Sequence, residues 1–180
     1  MKLSLICIFI VLVTTAHAQI ANWVRFAPRG EHFELDVPGD MRSAQKKLLT
    51  PIGELVTNTW MHQGVKDDDN AIYTVSCIYY PSGTFPKDST DLREELFAET
   101  IDAHIQDLDG KLDYDSPTFV TSDEGRIYRV SYNKGKATMK SRLFVINDIF
   151  YALQVYTLST NSLNPFADKF LNSFKIVRDK

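Results

Sequence analysis

Along residues 125–158, GRIYRVSYNKGKATMKSRLFVINDIFYALQVYTL, large apolar residues fill both odd and even positions of three strand-like runs. The joints between them, Asn133-Lys134-Gly135 and Asn147-Asp148, use residues that tolerate the positive φ of tight hairpin turns. Val, Ile, Tyr, Phe and Thr are frequent in the runs, as a pleated and packed surface favours. A two-residue loop at Asn147-Asp148 sets the register. Ile146 then faces Ile149, Phe144 faces Tyr151 and Arg142 faces Leu153, while Val145–Phe150, Leu143–Ala152 and Met139–Tyr156 form the alternate rungs. Side chains alternate across a strand, so both faces of this antiparallel meander are apolar and both need cover.

The flanking chain supplies further elements. Residues 22–28 and 32–37 read as two short strands about a Pro28-Arg29-Gly30 turn, with Phe33, Leu35 and Val37 alternating with Glu34 and Asp36. Residues 41–49 are ambiguous, with Arg42, Lys46 and Lys47 exposed in either reading. Residues 54–63 and 71–80 read as a strand pair joined by a turn over 64–70. The main helix is expected from Asp91, a cap with Glu94 in capping-box position. Phe97, Ile101, Ile105 and Leu108 make its apolar stripe, opposite Glu95, Glu99, Asp102 and Gln106, and Gly110 serves as its C′ stop. A less regular segment then passes through Pro117. Asn164-Pro165 opens a second helix with Phe166 and Phe170 on one face, and residues 174–177 close the chain.

Residues 1–18 change the picture because they read as a signal peptide. Lys2 gives the positive start, residues 3–13 a short apolar run, and Ala16-His17-Ala18 a small-x-small cleavage pattern before Gln19. Cys7 lies inside the apolar run, a position that does not suit lipoprotein acylation. No later segment has the ~20 apolar residues of a membrane-spanning helix. Residues 19–180 contain no repeat or Pro/Ser-rich linker and are expected to form one domain. The formal charge of −3 becomes about −4 without Lys2, which argues against general nucleic-acid binding. Of the two cysteines only Cys77 remains after cleavage, so no intrachain disulfide forms.

Several stretches carry a family resemblance. Phe26-x-Pro28 with Phe33-x-Leu35-x-Val37-Pro38 resembles the opening of exported PsbP-like proteins. Residues 144–153, FVINDIFYAL, with Phe170-Leu171-x-Ser173-Phe174 resemble their ending. That superfamily groups the PsbP extrinsic subunit of photosystem II with a Ran-binding nuclear import factor. The resemblance implies an α/β fold of α+β type, an antiparallel sheet covered by helices on both faces as an α/β/α sandwich. It implies no activity, because no photosystem- or Ran-binding residue motif is found in the chain.

Candidate chemistry is sparse. Cys77 is the one possible thiol nucleophile of residues 19–180, but a free cysteine on an apolar strand face is ordinarily an inert core residue. His32, His62 and His104 are scattered and form no zinc-ligand spacing. Asp107-Leu108-Asp109-Gly110 fails the calcium-loop pattern, and Asp67-Asp68-Asp69 reads as a solvated turn. Trp60, Tyr79, Tyr80 and Phe85 are core or half-core aromatics before they are a recognition surface. A basic group stands out more. With Tyr132 opposite Ala137, Arg129 faces Lys140 and Ile127 faces Arg142, so Arg129, Lys140 and Arg142 share one sheet face near Lys134 and Lys136. Such a cluster needs counter-charges, from an anionic ligand, an acidic partner or the protein itself.

These readings lead to an exported, periplasmic or secreted, non-enzymatic binding or accessory domain. It is expected to take no cofactor or metal and to bind a protein or a small anionic ligand through Arg129, Lys140 and Arg142. The alternative is an exported hydrolase built on Cys77 or on a dispersed carboxylate–histidine site.

Overall fold

A computed structural model describes residues 23–50, 53–65, 68–86 and 90–177. The leader at 1–18, the cleavage point before Gln19, Cys7 and Asp67 lie outside the described residues. In chain order the elements are β1 (Val24–Phe26), β2 (Phe33–Val37), β3 (Arg42–Thr50), β4 (Gly53–Gln63), β5 (Asn70–Tyr79), α1 (Thr90–Asp107), β6 (Lys111–Val120), β7 (Asp123–Tyr132), β8 (Ala137–Ile146), β9 (Ile149–Leu158), α2 (Pro165–Asn172) and β10 (Lys175–Ile176), with a 3-10 turn at Ser159–Asn161. Seven strands form one antiparallel sheet in the order β3-β4-β5-β9-β8-β7-β6. The other three form a small sheet, β1-β2-β10.

The hairpin β8–β9 has the register that the sequence predicts, from Ile146↔Ile149 through Met139↔Tyr156. Asn147 and Asp148 form its loop with φ of 50° and 60°. Every residue of β8 except Lys140 is buried. On one side Met139, Leu143 and Val145 pack with Phe150, Ala152, Tyr128 and Val130 under Phe97 and Ile101 of α1. On the other, Phe144, Ile146, Tyr151, Leu153 and Val155 meet Phe33, Leu35 and Val37 of β2 and Phe170 and Leu171 of α2.

This arrangement corrects the expected α/β/α sandwich. The protein is mostly β, with ten strands and two α-helices among the described residues. One face is covered by α1, but the other is covered by the small sheet together with the eight-residue α2. The cause lies in residues 33–37, whose period-two pattern drives three fully buried side chains into that face. Pairing of β2 with β1 on one edge and β10 on the other then makes a sheet where a helix was expected.

Three local readings also change. Residues 111–120, read as irregular, are β6, an outer strand of the large sheet. An outer strand tolerates Pro117, because a missing N–H costs little where no neighbour needs it. Thr90 already belongs to α1, so Asp91 stands in the first turn rather than at a cap, and Glu94 pairs with Arg126 of β7. At the other end Asp109, not Gly110, takes the left-handed conformation, with φ of 46°. The amides of Asp109 and Gly110 bond to Gln106 O at 3.1 Å and Ile105 O at 2.9 Å, a Schellman closure. Gly110 is needed for close approach instead: a Cβ there would lie 2.5 Å from Val130 Cγ1. The second helix starts as expected, with Asn164 capping the Ala167 amide at 2.9 Å and Pro165 following.

The stripe on α1 generates a test. Ile101 is 5% exposed against the sheet, while Glu99 faces outward. Ile101→Asp should lower stability by about 3 kcal/mol or more, because it buries an unpaired charge. Glu99→Lys should change it by less than about 0.5 kcal/mol. Thermal melts of both variants check this, and similar losses would place the wrong helix face inward.

Candidate functional site

Strand parity brings the predicted basic residues to one face, since Arg129 pairs with Lys140 and Ile127 with Arg142. Their surroundings differ. Arg142 is buried and donates to Leu171 O at 2.7 Å, Asn172 Oδ1 at 3.1 Å, Thr118 Oγ1 at 2.8 Å and Phe119 O at 3.0 Å. Its guanidinium also stacks over Phe144, 4.9 Å from the ring centroid. Burial pushes its pKa below the usual arginine value. Lys140 is paired with Asp168 of α2. Arg129 pairs with Asp113 of β6 at 2.8 Å and lies over Tyr114. All three therefore have partners within the protein, supplied by the neighbouring strand β6 and by α2.

The other candidates are built into the fold in similar ways. Cys77 is fully buried in the core beside the small sheet, and burial, then the charge of Glu31, pushes its thiol pKa far up. A thiolate nucleophile is disfavoured there. Trp60 is a core residue, Tyr79 donates to Glu31, and Tyr80 meets Phe85 edge-on at 5.0 Å. Asp68 accepts from the Val65 amide at 2.7 Å as part of a turn. Among the described residues no group of three His, Cys, Asp or Glu side chains could hold a metal ion. No described helix is long and apolar enough to cross a membrane.

His104 joins a polar network between α1 and the sheet. Its Nδ1 bonds to Tyr128 Oη, and its Nε2 lies 3.1 Å from Gln154 Nε2. Gln154 uses its amide oxygen to accept from Thr74 at 3.0 Å and Tyr156 at 3.2 Å. With the NH2 group of Gln154 facing His104, the histidine Nε2 accepts and the ring is neutral with its proton on Nδ1. Protonating Nε2 would set donor against donor. Burial lowers the pKa of His104 below the ordinary 6.5, against a smaller opposing effect of Asp107.

Two surface features sequence reasoning did not identify. The first is a cleft of about 630 Å³ between the 81–86 loop, the start of α1 and the β6–β7 and β8–β9 turns. Its polar groups hold its own walls: Asp148 accepts from the Gly83 and Phe85 amides at 2.8 and 2.7 Å, and Arg93 donates to Pro86 O at 2.8 Å. The second is β3. It ends the large sheet and is exposed along eight of its nine residues. It carries Arg42, Lys46 and Lys47 and no acid, with Leu48 and Leu49 exposed. Only Lys47 of these cations has an acidic partner among the described residues, Glu54 at 2.8 Å. The absence of alternation in residues 41–49 was the available signal, because a strand exposed on both faces has no buried side to mark.

No protein-family model matches the chain, and no curated protein matches it. Solved structures do. The solution structure of cyanobacterial PsbP (CyanoP) from Synechocystis sp. PCC 6803 is similar at a TM-score of 0.56 and 15% identity, covering 92% of this chain and 98% of that one. A Pseudomonas aeruginosa protein of unknown function, PA94, described as a putative regulator, is similar at a TM-score of 0.35 and 10% identity, covering 77% of this chain and 85% of that one. The second likeness is too low to carry weight. The first supports a PsbP-like fold at an identity that speaks for the fold alone.

The site geometry yields two expectations. Arg142→Ala should destabilise the protein by about 2–4 kcal/mol, since it leaves buried acceptors unpaired. Arg129→Ala and Lys140→Ala, which remove partly exposed pairs, should each cost at most about 1 kcal/mol. Denaturant titrations separate the two cases. For His104 the folded pKa lies below the unfolded one, so its contribution is complete at neutral pH. It is lost as pH falls from about 6.5 and levels off below the folded pKa. Melting curves between pH 7.5 and 4.5 should show His104→Phe losing less stability on acidification than the parent. Parallel curves would mean that His104 is not held neutral.

Proposed function

We propose that this chain, which has a PsbP-like fold, is an exported accessory domain that works by docking a protein partner rather than by catalysis. The observation that carries this reading is β3, a regular nine-residue strand at the end of the large sheet whose side chains are open to solvent. Such an edge offers unpaired backbone groups to another chain, and Arg42, Lys46 and Lys47 guard it against like-charged strands without removing an amide or carbonyl from the row. The signal-peptide pattern of residues 1–18 supports action in the periplasm or outside the cell. A small anionic ligand at Arg129, Lys140 and Arg142 would have to displace Asp113, Asp168 and the Leu171 carbonyl, so a protein partner is preferred. The hydrolase alternative loses support from the burial and raised pKa of Cys77.

Photo-cross-linking in the producing cell tests the reading. Single cross-linking residues on β3, on β6 and at the cleft should include one that yields a discrete, stoichiometric protein adduct in the exported fraction, on a chain starting at Gln19. Retention of Met1 would contradict export. Absence of adducts from every position, together with an ester- or peptide-hydrolysing activity lost in Cys77→Ser, would replace the binding reading with the hydrolase.

A further inference from the structure

We propose that β3 takes an acidic, extended segment of a partner protein as an eighth strand of the large sheet. This rests on the binding reading above and names the partner's chemistry. The backbone supports it first. β3 pairs with β4 through nine consecutive rungs, Arg42↔Met61 to Thr50↔Gly53, without a register shift. In a regular antiparallel strand the amide and carbonyl groups of successive residues point alternately to the two sides. The side away from β4 therefore presents a complete row of donors and acceptors about 30 Å long.

Contrast with the other end of the sheet sharpens the assignment. There β6 carries a register shift between Leu112 and Tyr114, a proline at 117 and the acids Asp113 and Asp115. Bulges, prolines and charges are the devices that block pairing at an edge. β3 has no proline and no register shift along its length, and its charges are all basic, so they turn away like-charged strands while leaving the backbone row open to an acidic one.

Charge selects the occupant. With Lys47 already paired to Glu54, Arg42 and Lys46 remain, and they share a face with Ala44 and Leu48 because they differ by even numbers. Opposite charges facing each other across a ladder are favourable and like charges are not. A second copy of this chain, paired antiparallel about the middle of β3, would set Lys46 against Lys46 or Lys47 of its neighbour. The whole ribbon would then carry Arg42, Lys46 and Lys47 twice. An acidic segment has no such penalty. Antiparallel to β3, its residue opposite Lys46 and the one four positions later, opposite Arg42, should be Asp or Glu. The residue two positions before the first acid, opposite Leu48, should be apolar. The pattern is apolar-x-acid-x-x-x-acid in an extended, β-forming context.

A fluorescein-labelled peptide of that pattern, Thr-Val-Thr-Glu-Thr-Val-Thr-Glu-Thr, tests this with the purified protein by fluorescence anisotropy. A second peptide carries lysine in place of both glutamates. The parent should bind the acidic peptide about tenfold more tightly than the basic one, and added salt should shrink the difference. Arg42→Glu/Lys46→Glu, a change at exposed positions, should reverse the preference. Backbone use is read from Ala44→Pro and Gln45→Pro. One of these adjacent amides faces away from β4, and its loss should abolish binding while leaving the melting temperature near that of the parent. Should both proline variants unfold, the charge reversal still decides. Absent binding, equal ranking of the peptides by parent and charge-reversed protein, or a β3-mediated dimer in sedimentation would each overturn the proposal. A cellular adduct formed only from sites away from β3 would also overturn it while leaving the binding reading intact. A reversing peptide preference without any cellular adduct would do the opposite.

Discussion

The β8–β9 hairpin is apolar on both faces, and this constraint organises the rest of the molecule. Leaving either face in water would forgo about 1.5–3 kcal/mol for each large side chain exposed. Met139, Leu143 and Val145 therefore need α1, while Phe144 and Ile146 need β2 and α2. Arg142 sits among the latter group and cannot be left unsatisfied. It reaches the last turn of α2 through Leu171 O and Asn172, and it reaches β6 through Thr118 and Phe119 O. One buried guanidinium thus fastens the second cover and the β6 edge to the centre of the sheet. Nothing comparable reaches β3 among the described residues, so the two ends of the sheet differ in kind.

Much of the central architecture was legible in sequence because it is local. The Asn147-Asp148 turn sets every rung of β8–β9, and Asn164-Pro165 announces α2 through its own cap. What sequence missed is partly non-local and partly local but masked. β2 meets β10 only after the chain has passed through the whole large sheet, so two short alternating runs gave no sign of forming a covering layer. Pro117 and the register shift near Leu112 disguised β6, while exposure on both faces disguised β3.

The candidate site divides along the same line. Strand parity placed Arg129, Lys140 and Arg142 together, as the hairpin register required. Their counter-groups come from β6 and α2, whose positions no local pattern disclosed. Conversely, Arg42, Lys46 and Lys47 were legible as exposed but not as a sheet edge, because an outer strand is a property of topology. Their meaning appears only once the sheet order is known.

The PsbP-like fold adds a scaffold and no chemistry, so the functional weight rests on β3. Its state can be read directly by amide hydrogen exchange, residue by residue. In the partner-free protein, β3 amides should alternate between slow exchange, where they bond to β4, and fast exchange, where they face solvent. Saturation with the acidic nine-residue peptide should slow the fast set and leave β6 unchanged. Fast β3 amides that stay fast in the saturated complex, while those around the cleft or β6 slow, would contradict strand addition at this edge.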